Sequence, residues 1–237
     1  MGVHFSSLSS SNYLVQEANT HLTCSTVKFT KIVKELSPEK KNAIKGIGFG
    51  GLLEMPEMPL RRNMILEIVK VFKPSNQSFR LCGDDVQILP DIVKEIMGLQ
   101  IEGNSVFEHR GEKVTKIEGN TIDKDLFLRF AGEHKNMQIN RLRDIIIKSG
   151  TADDDFRRAF VLFTIGVILA PTTKPYVHST YLPLVREISD IPKFNWGEFT
   201  LNFLLYSLYQ YKVVRNTSLL GNFTFLQVNS ICCSQHL

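Results

Sequence analysis

The chain is short of nearly everything that marks an enzyme or a metal protein. Its four cysteines, Cys24, Cys82, Cys232 and Cys233, include no Cys-x2-Cys pair, so the common zinc spacings are missing. Secreted disulfide scaffolds of this length carry more cysteines at patterned intervals. Adjacent Cys232 and Cys233 would form only a strained vicinal bridge, so reduced thiols inside a cell are the simpler expectation. There is no Gly-x-Ser-x-Gly elbow and no His-Glu-x2-His helix. A serine or cysteine nucleophile needs a base held beside it. Of the six histidines, His4, His21 and His236 lie near the chain ends, and His109, His134 and His178 stand in no nucleophile motif. Carboxylate neighbours such as Asp84-Asp85 occur by chance in any chain. No catalytic, cofactor-binding or metal-ligating residue is therefore assigned, and no cofactor is expected.

A large charge of one sign is also missing. The chain has 28 Lys and Arg against 24 Asp and Glu, a formal net charge of +4. Phosphate affinity scales with the number of convergent cations. The basic pairs Lys40-Lys41, Arg61-Arg62 and Arg157-Arg158 are scattered, which favours solvated surface over a nucleic-acid track. Long apolar runs are lacking too. The longest, 159–173, falls short of the roughly 20 residues a membrane span needs, and Pro171 ends it. Residues 1–25 have neither the basic start nor the apolar run of a signal peptide.

What is present is ordinary globular material. Hydrophobic residues make up 43% of 237 positions and charged residues 22%, enough for a substantial core. Sixteen phenylalanines stand against one tryptophan and six tyrosines, so buried rings carry much of the apolar area. Helical apolar spacing runs over 27–36, 60–72, 121–130, 139–148, 156–170 and 196–211, with a shorter helix at 181–188. Ser37-Pro38 reads as a cap and first turn of a further helix. A helix capped by Asp84 or Asp85 is expected through Met97, with Val86, Leu89, Ile92, Val93 and Ile96 inward and Gly98 as its stop. Pro90 must then kink it or lie near its first turn. Phe79-Arg80-Leu81 suggests a short strand, and 98–120 a loop or small hairpin. The fold class is mainly α: a single globular multi-helix domain with a few short β-strands or a hairpin. A Ser/Asn/Thr-rich flexible leader is expected over 1–25, the domain over 26–228 and a divergent, truncated tail over 229–237. The expected structural core includes Trp196, Phe199, Phe203, Phe160, Phe163 and Leu89.

Two clusters invite a chemical reading. Gly46-Ile47-Gly48-Phe49-Gly50-Gly51 is superficially similar to a phosphate loop. A phosphate loop follows a strand and opens a helix; these glycines follow a helix, so a helix stop and turn is preferred. Asp153-Asp154-Asp155 could suggest a divalent cation, but neighbours in sequence do not all point at one ion. Before an apolar helix, they read as a cap and a charge complement to its dipole.

The succession of segments resembles the plant mobile domain family, also called aminotransferase-like. It is carried by Leu36-Ser37-Pro38-Glu39-Lys40-Lys41-Asn42-Ala43-Ile44, Ile47-Gly48-Phe49-Gly50-Gly51-Leu52-Leu53, and Asp84-Asp85-Val86-Gln87-Ile88-Leu89 with Met97-Gly98-Leu99. It continues in Phe156-Arg157-Arg158-Ala159-Phe160-Val161-Leu162, Leu169-Ala170-Pro171-Thr172, Phe194-Asn195-Trp196-Gly197-Glu198-Phe199 and Leu220-Gly221-Asn222-Phe223-Thr224-Phe225-Leu226-Gln227. The resemblance implies transposon origin, a nuclear location, and action through protein partners in silencing or genome maintenance. The aminotransferase label implies no chemistry, because no segment identifies a Schiff-base lysine or a partner for a pyridoxal ring. The leading expectation is a non-enzymatic protein-interaction module. A nucleic-acid-binding accessory module and a cryptic enzyme are the alternatives. A continuous basic groove would favour the first alternative, a deep pocket of convergent polar groups the second, and an exposed apolar patch the leading one.

Overall fold

Ser25, Ser37, Asp153 and Asn195 each precede an apolar helical run, and each caps one. Their side chains accept from Lys28 N (3.3 Å), Lys40 N (3.3 Å), Phe156 N (2.8 Å) and Glu198 N (2.9 Å). The helices they start are α1 (Thr26–Glu35), α2 (Pro38–Gly46), α8 (Asp154–Thr164) and α9 (Trp196–Tyr209). Between them lie α3 (Arg62–Lys70), α4 (Pro90–Met97), α5 (Val106–His109), α6 (Thr121–Ala131) and α7 (Ile139–Lys148). These come from a computed structural model, which describes residues 21–22, 24–81, 83–110, 121–134, 136–215, 218–224 and 226–227.

Strands are few and short. The antiparallel meander β2 (Phe72–Lys73), β3 (Ser78–Leu81) and β4 (Asp84–Gln87) pairs Phe72 with Phe79 and Phe79 with Val86. Met137–Gln138 (β5) pairs antiparallel with Tyr176–Val177 (β6). His21–Leu22 (β1) pairs in parallel with Ser218–Leu219 (β7), bringing the two ends of the fold together. The architecture is the expected one, a single mainly α domain with a few short strands.

At the centre lies α8. Every residue from Ala159 to Thr164 is buried, with Phe29 of α1 stacked on Phe163 at 6.4 Å and tilted against Phe160 at 5.9 Å. A second ring cluster forms at the start of α9, where Trp196 meets Phe49, Phe194 and Phe199 edge-on at 5.3–6.2 Å. Trp196, Phe199, Phe160 and Phe163 are buried, and Phe203 is partly buried against the same core.

Leu89 is a correction. The helix expected from Asp84 does not exist there: those residues form β4, and α4 begins at Pro90. Proline has no N–H and a fixed φ, so it takes the first helical turn, where no donor is needed. Leu89 becomes the extended residue before the helix (φ −98°, ψ 157°) and is 53% exposed. Val86, on the edge strand, is also exposed. Gly98 does end the helix, in the left-handed region at φ +63°.

Other boundaries shift modestly. The apolar run after α8 finishes in a turn of π-helix (Ile165–Leu169), and α9 finishes in another (Gln210–Val214). The helix expected at 181–188 is 3-10 geometry over Ser179–Val185, interrupted by Pro183. Where a loop or small hairpin is expected over 98–120, the described residues 98–110 are mostly loop around α5, and 111–120 lie outside the described residues. Most of the expected leader, residues 1–20, and the expected tail, 229–237, also lie outside them, as do Cys82, Cys232 and Cys233. The last residues assigned to the leader belong to the fold, since Leu22 is half-buried in β1, Cys24 is buried and Ser25 caps α1.

Candidate functional site

The resemblance motifs turn out to hold the scaffold. In the glycine turn after α2, a Cβ on Gly51 would lie 2.6 Å from Gly98 Cα and 2.6 Å from Met97 O. Two backbones touch there, which is why the sequence has glycine on both sides. At the other end of the chain, Gln227 is 1% exposed. Its Oε1 accepts from Arg61 N (2.8 Å) and its Nε2 donates to Pro59 O (3.3 Å), pinning the strap that leads into α3. Asn222 Oδ1 accepts from Thr224 N (3.0 Å) and from Cys24 Sγ (3.6 Å). Burial pushes the Cys24 thiol up to about 11 against the hydrogen bonds from Thr224, so it is held as a neutral thiol.

Two of the histidines and several of the carboxylates are likewise engaged locally. His109 Nδ1 lies 2.8 Å from Ser105 O and its ring packs on Phe194. His178 Nδ1 accepts from Thr180 N (3.4 Å), two residues on. A cleft of about 960 Å³ runs between α7 and α8 and is lined by His134, Arg141, Asp144, Lys148, Asp153 and Asp155. Its charges are already matched. Asp155 takes Arg129 Nη1 on both oxygens (2.8 and 2.9 Å), Asp144 takes Arg143 (2.8 Å), and Asp153 caps α8. Its guanidinium partner holds the Asp144 carboxyl below the usual carboxylate range. Among the described residues, no group of three His, Cys, Asp or Glu side chains is placed to hold a metal ion.

For the aspartate triplet the geometry gives three separate jobs: a cap for Asp153, an ion pair with Arg157 for Asp154 (3.1 Å), and pairs with Arg129 and Arg158 for Asp155. Asp153→Ala is expected to cost about 0.5–2 kcal/mol, and Asp153→Asn, which keeps an acceptor, less. Melting curves check the order, and added magnesium or calcium should leave all three proteins unmoved. A rise of several degrees in the wild type alone would replace the cap with a metal site.

In two of the three basic pairs, one residue is used internally. Lys40 is buried; its Nζ donates to Ile146 O (2.9 Å) and Ile147 O (3.4 Å) at the end of α7 and sits over the Phe156 ring. Arg158 donates to Val185 O (3.0 Å) and Arg186 O (3.1 Å) besides its aspartates. Side chains so held do not contact phosphate.

One surface departs from the pattern of buried rings. Tyr206, Tyr209, Val213 and Val214 are 63%, 40%, 49% and 60% exposed along the end of α9 and its π turn. Steps of three and four residues put the first three on one side of the helix, next to half-buried Phe203. Sequence reasoning placed this helix correctly and treated it as a core element. The signal for an outer face was available in its all-round hydrophobicity, which a helix with only one buried side does not need.

The molecule is therefore a mainly α scaffold with an exposed aromatic and aliphatic helix face and with its buried polar groups satisfied internally. The chain belongs to the family described as a domain of unknown function (DUF8566), which matches residues 22–227. It is similar to Protein MAIN-LIKE 1 of Arabidopsis thaliana, 25% identical over 209 residues, which cover 81% of this chain and 40% of that protein. Protein MAIN-LIKE 2 of the same plant is 24% identical, over 81% of this chain and 30% of its own length. A plant protein called serine/threonine-protein phosphatase 7 long form homolog is 24% identical over 76% of this chain and 14% of its own. The chain thus spans well under half of each of these relatives. The plant mobile domain resemblance read from the motifs holds against them. No solved structure matches the chain. Among the described residues, no helix is long and apolar enough to cross a membrane.

Proposed function

We propose that residues 26–228 form a non-enzymatic protein-interaction module of transposon origin, acting in the nucleus in silencing or genome maintenance. The observation that carries this reading is the exposed Tyr206, Tyr209, Val213 and Val214 face. An apolar patch rimmed by polar residues is the usual mark of a protein contact, and tyrosine supplies large contact area with few rotors. The internal use of Lys40 and Arg158 speaks against the nucleic-acid alternative. The transposon origin that the plant mobile domain resemblance implies supports the cellular setting.

The test is affinity purification from plant nuclei with the wild type and with Tyr206→Ser/Val213→Ser. Both positions are exposed, so stability should change by no more than about 0.5 kcal/mol per site. The wild type is expected to retain discrete proteins that the double variant loses. Equal recovery by both would refute the assignment of this face.

A further inference from the structure

Arg110 is held in place by aromatic rings and holds no carboxylate. It stands just past α5, with its guanidinium over the Phe107 ring (5.1 Å) and over the Tyr181 ring (5.5 Å). Its Nη1 donates to the Tyr181 hydroxyl (3.4 Å). Buried Phe199 of α9 backs both rings, edge-on to Phe107 at 5.2 Å and to Tyr181 at 6.0 Å. Stacking uses the flat faces of a guanidinium and leaves its edge of five N–H donors. Only one hydrogen bond is made from that edge. Arg80, Arg129, Arg143, Arg157 and Arg158 all hold carboxylates, whereas Arg110, among the described residues, is in no ion pair.

A cleft of about 360 Å³ opens beside this guanidinium, lined by Phe107, Arg110, His178, Thr180 and Tyr181. None of the five is acidic. Tyr181 is 7% exposed, and burial raises the pKa of its phenol, so the hydroxyl keeps its proton at neutral pH. Its oxygen accepts from Arg110, but a guanidinium accepts nothing in return. Among the described residues no group takes the phenol proton. His178 Nδ1, which could accept it, is turned to Thr180 N (3.4 Å). A buried hydroxyl in the wall thus has a hydrogen bond still to give, beside a fixed cation with N–H groups still to give.

The site also borders the helix that carries the exposed face. Phe199, Phe203 and Tyr206 follow one another at steps of four and three residues, on one side of α9. The Phe199 and Phe203 rings are 6.3 Å apart. Positions 199 and 206 are separated by about 10 Å along the helix axis, within reach of one bound segment.

We infer that this cleft receives a carboxylate of the partner protein, bound by the Arg110 edge and the Tyr181 hydroxyl. The inference rests on the interaction reading above and names the chemistry of its partner. A guanidinium fork matches the two oxygens of a carboxylate with parallel bonds, and the remaining lone pairs can take the phenol proton. One negative charge meets the one permanent cation of the wall. A phosphate monoester brings up to two charges, and a nucleic-acid backbone needs a track of cations. Phe107, 39% exposed, gives the carbons beside the carboxylate an apolar wall.

The experiment is an NMR titration of the full chain that follows the backbone amides and the Arg110 Nε–H. N-acetyl-glutamate methylamide supplies a side-chain carboxylate and N-acetyl-leucine a terminal one. N-acetyl-glutamine methylamide and N-acetyl-leucine methylamide are their uncharged counterparts. Saturating shifts at Arg110, Thr180 and Tyr181 are expected with the carboxylates alone, and the one that saturates at lower concentration identifies the source. Arg110→Lys, at an exposed position, keeps the charge without the fork and should raise the half-saturating concentration about tenfold or more. Tyr181→Phe keeps the ring and should raise it several-fold. Amide spectra unchanged away from the cleft establish that both variants fold. Shifts that do not saturate, that lie elsewhere, or that persist undiminished in Arg110→Lys would overturn the inference. So would inorganic phosphate that saturates the same amides at lower concentration than either carboxylate. The readout is independent of the α9 face: a silent cleft with a partner still lost in Tyr206→Ser/Val213→Ser defeats this inference only.

Discussion

Trp196→Ala is expected to lower the melting temperature by between about 6 and 20 °C. Truncating a buried tryptophan costs about 3–5 kcal/mol, and a domain of this size loses roughly 2–4 °C per kcal/mol. The ring is 1% exposed and packs edge-on against Phe49, Phe194 and Phe199, so alanine leaves a cavity that three rings border. The indole Nε1 also donates to Ile191 O at 2.8 Å, in the turn that leads to α9. Trp196→Phe separates the two contributions. It keeps an aromatic ring but leaves the Ile191 carbonyl without its donor, and should fall between wild type and alanine. An unchanged melting temperature in Trp196→Ala would mean that the chain is not built around this residue.

A single methyl group at Gly51 is expected to do comparable damage. Its Cβ would meet the Gly98 backbone and the Met97 carbonyl at 2.6 Å, and neither is the end of a flexible side chain. The turn after α2 and the end of α4 would have to separate. Overpacking of this kind typically costs 1–3 kcal/mol and more where backbone must move, so a loss of about 3 kcal/mol or more is expected for Gly51→Ala. Gly46 is the control, since it ends α2 with nothing within 4 Å of its Cβ position. Gly46→Ala should be neutral or stabilise by up to about 1 kcal/mol. Chemical denaturation of both variants measures the contrast. Equal effects would show that the glycine cluster is a generic turn and not a close contact.

That contrast marks where sequence reasoning reached its limit. A helix stop after Ala43 and Ile44 was legible, because glycine ends helices for local reasons. The partner that requires Gly51 lies some fifty residues away, and nothing local announces it. The caps at Ser37 and Asp153 were legible for the same local reason, each being a short polar side chain before an apolar period. Leu89 was misread because β4 and α4 abut: Val86, Leu89, Ile92 and Val93 continue one apolar spacing across two elements, and Pro90 is the only break. The candidate surface was hidden differently. Tyr206 and Val213 share a helix with Trp196 and Phe199, and only the packed fold shows which apolar residues of α9 are left outside.

The measurement that bears most directly on the whole account is the purification from plant nuclei repeated after nuclease treatment, with the wild type and Tyr206→Ser/Val213→Ser in parallel. The account predicts a discrete set of proteins that survives nuclease with the wild type and is absent with the variant. Recovery that nuclease abolishes, or that the variant leaves intact, would contradict it.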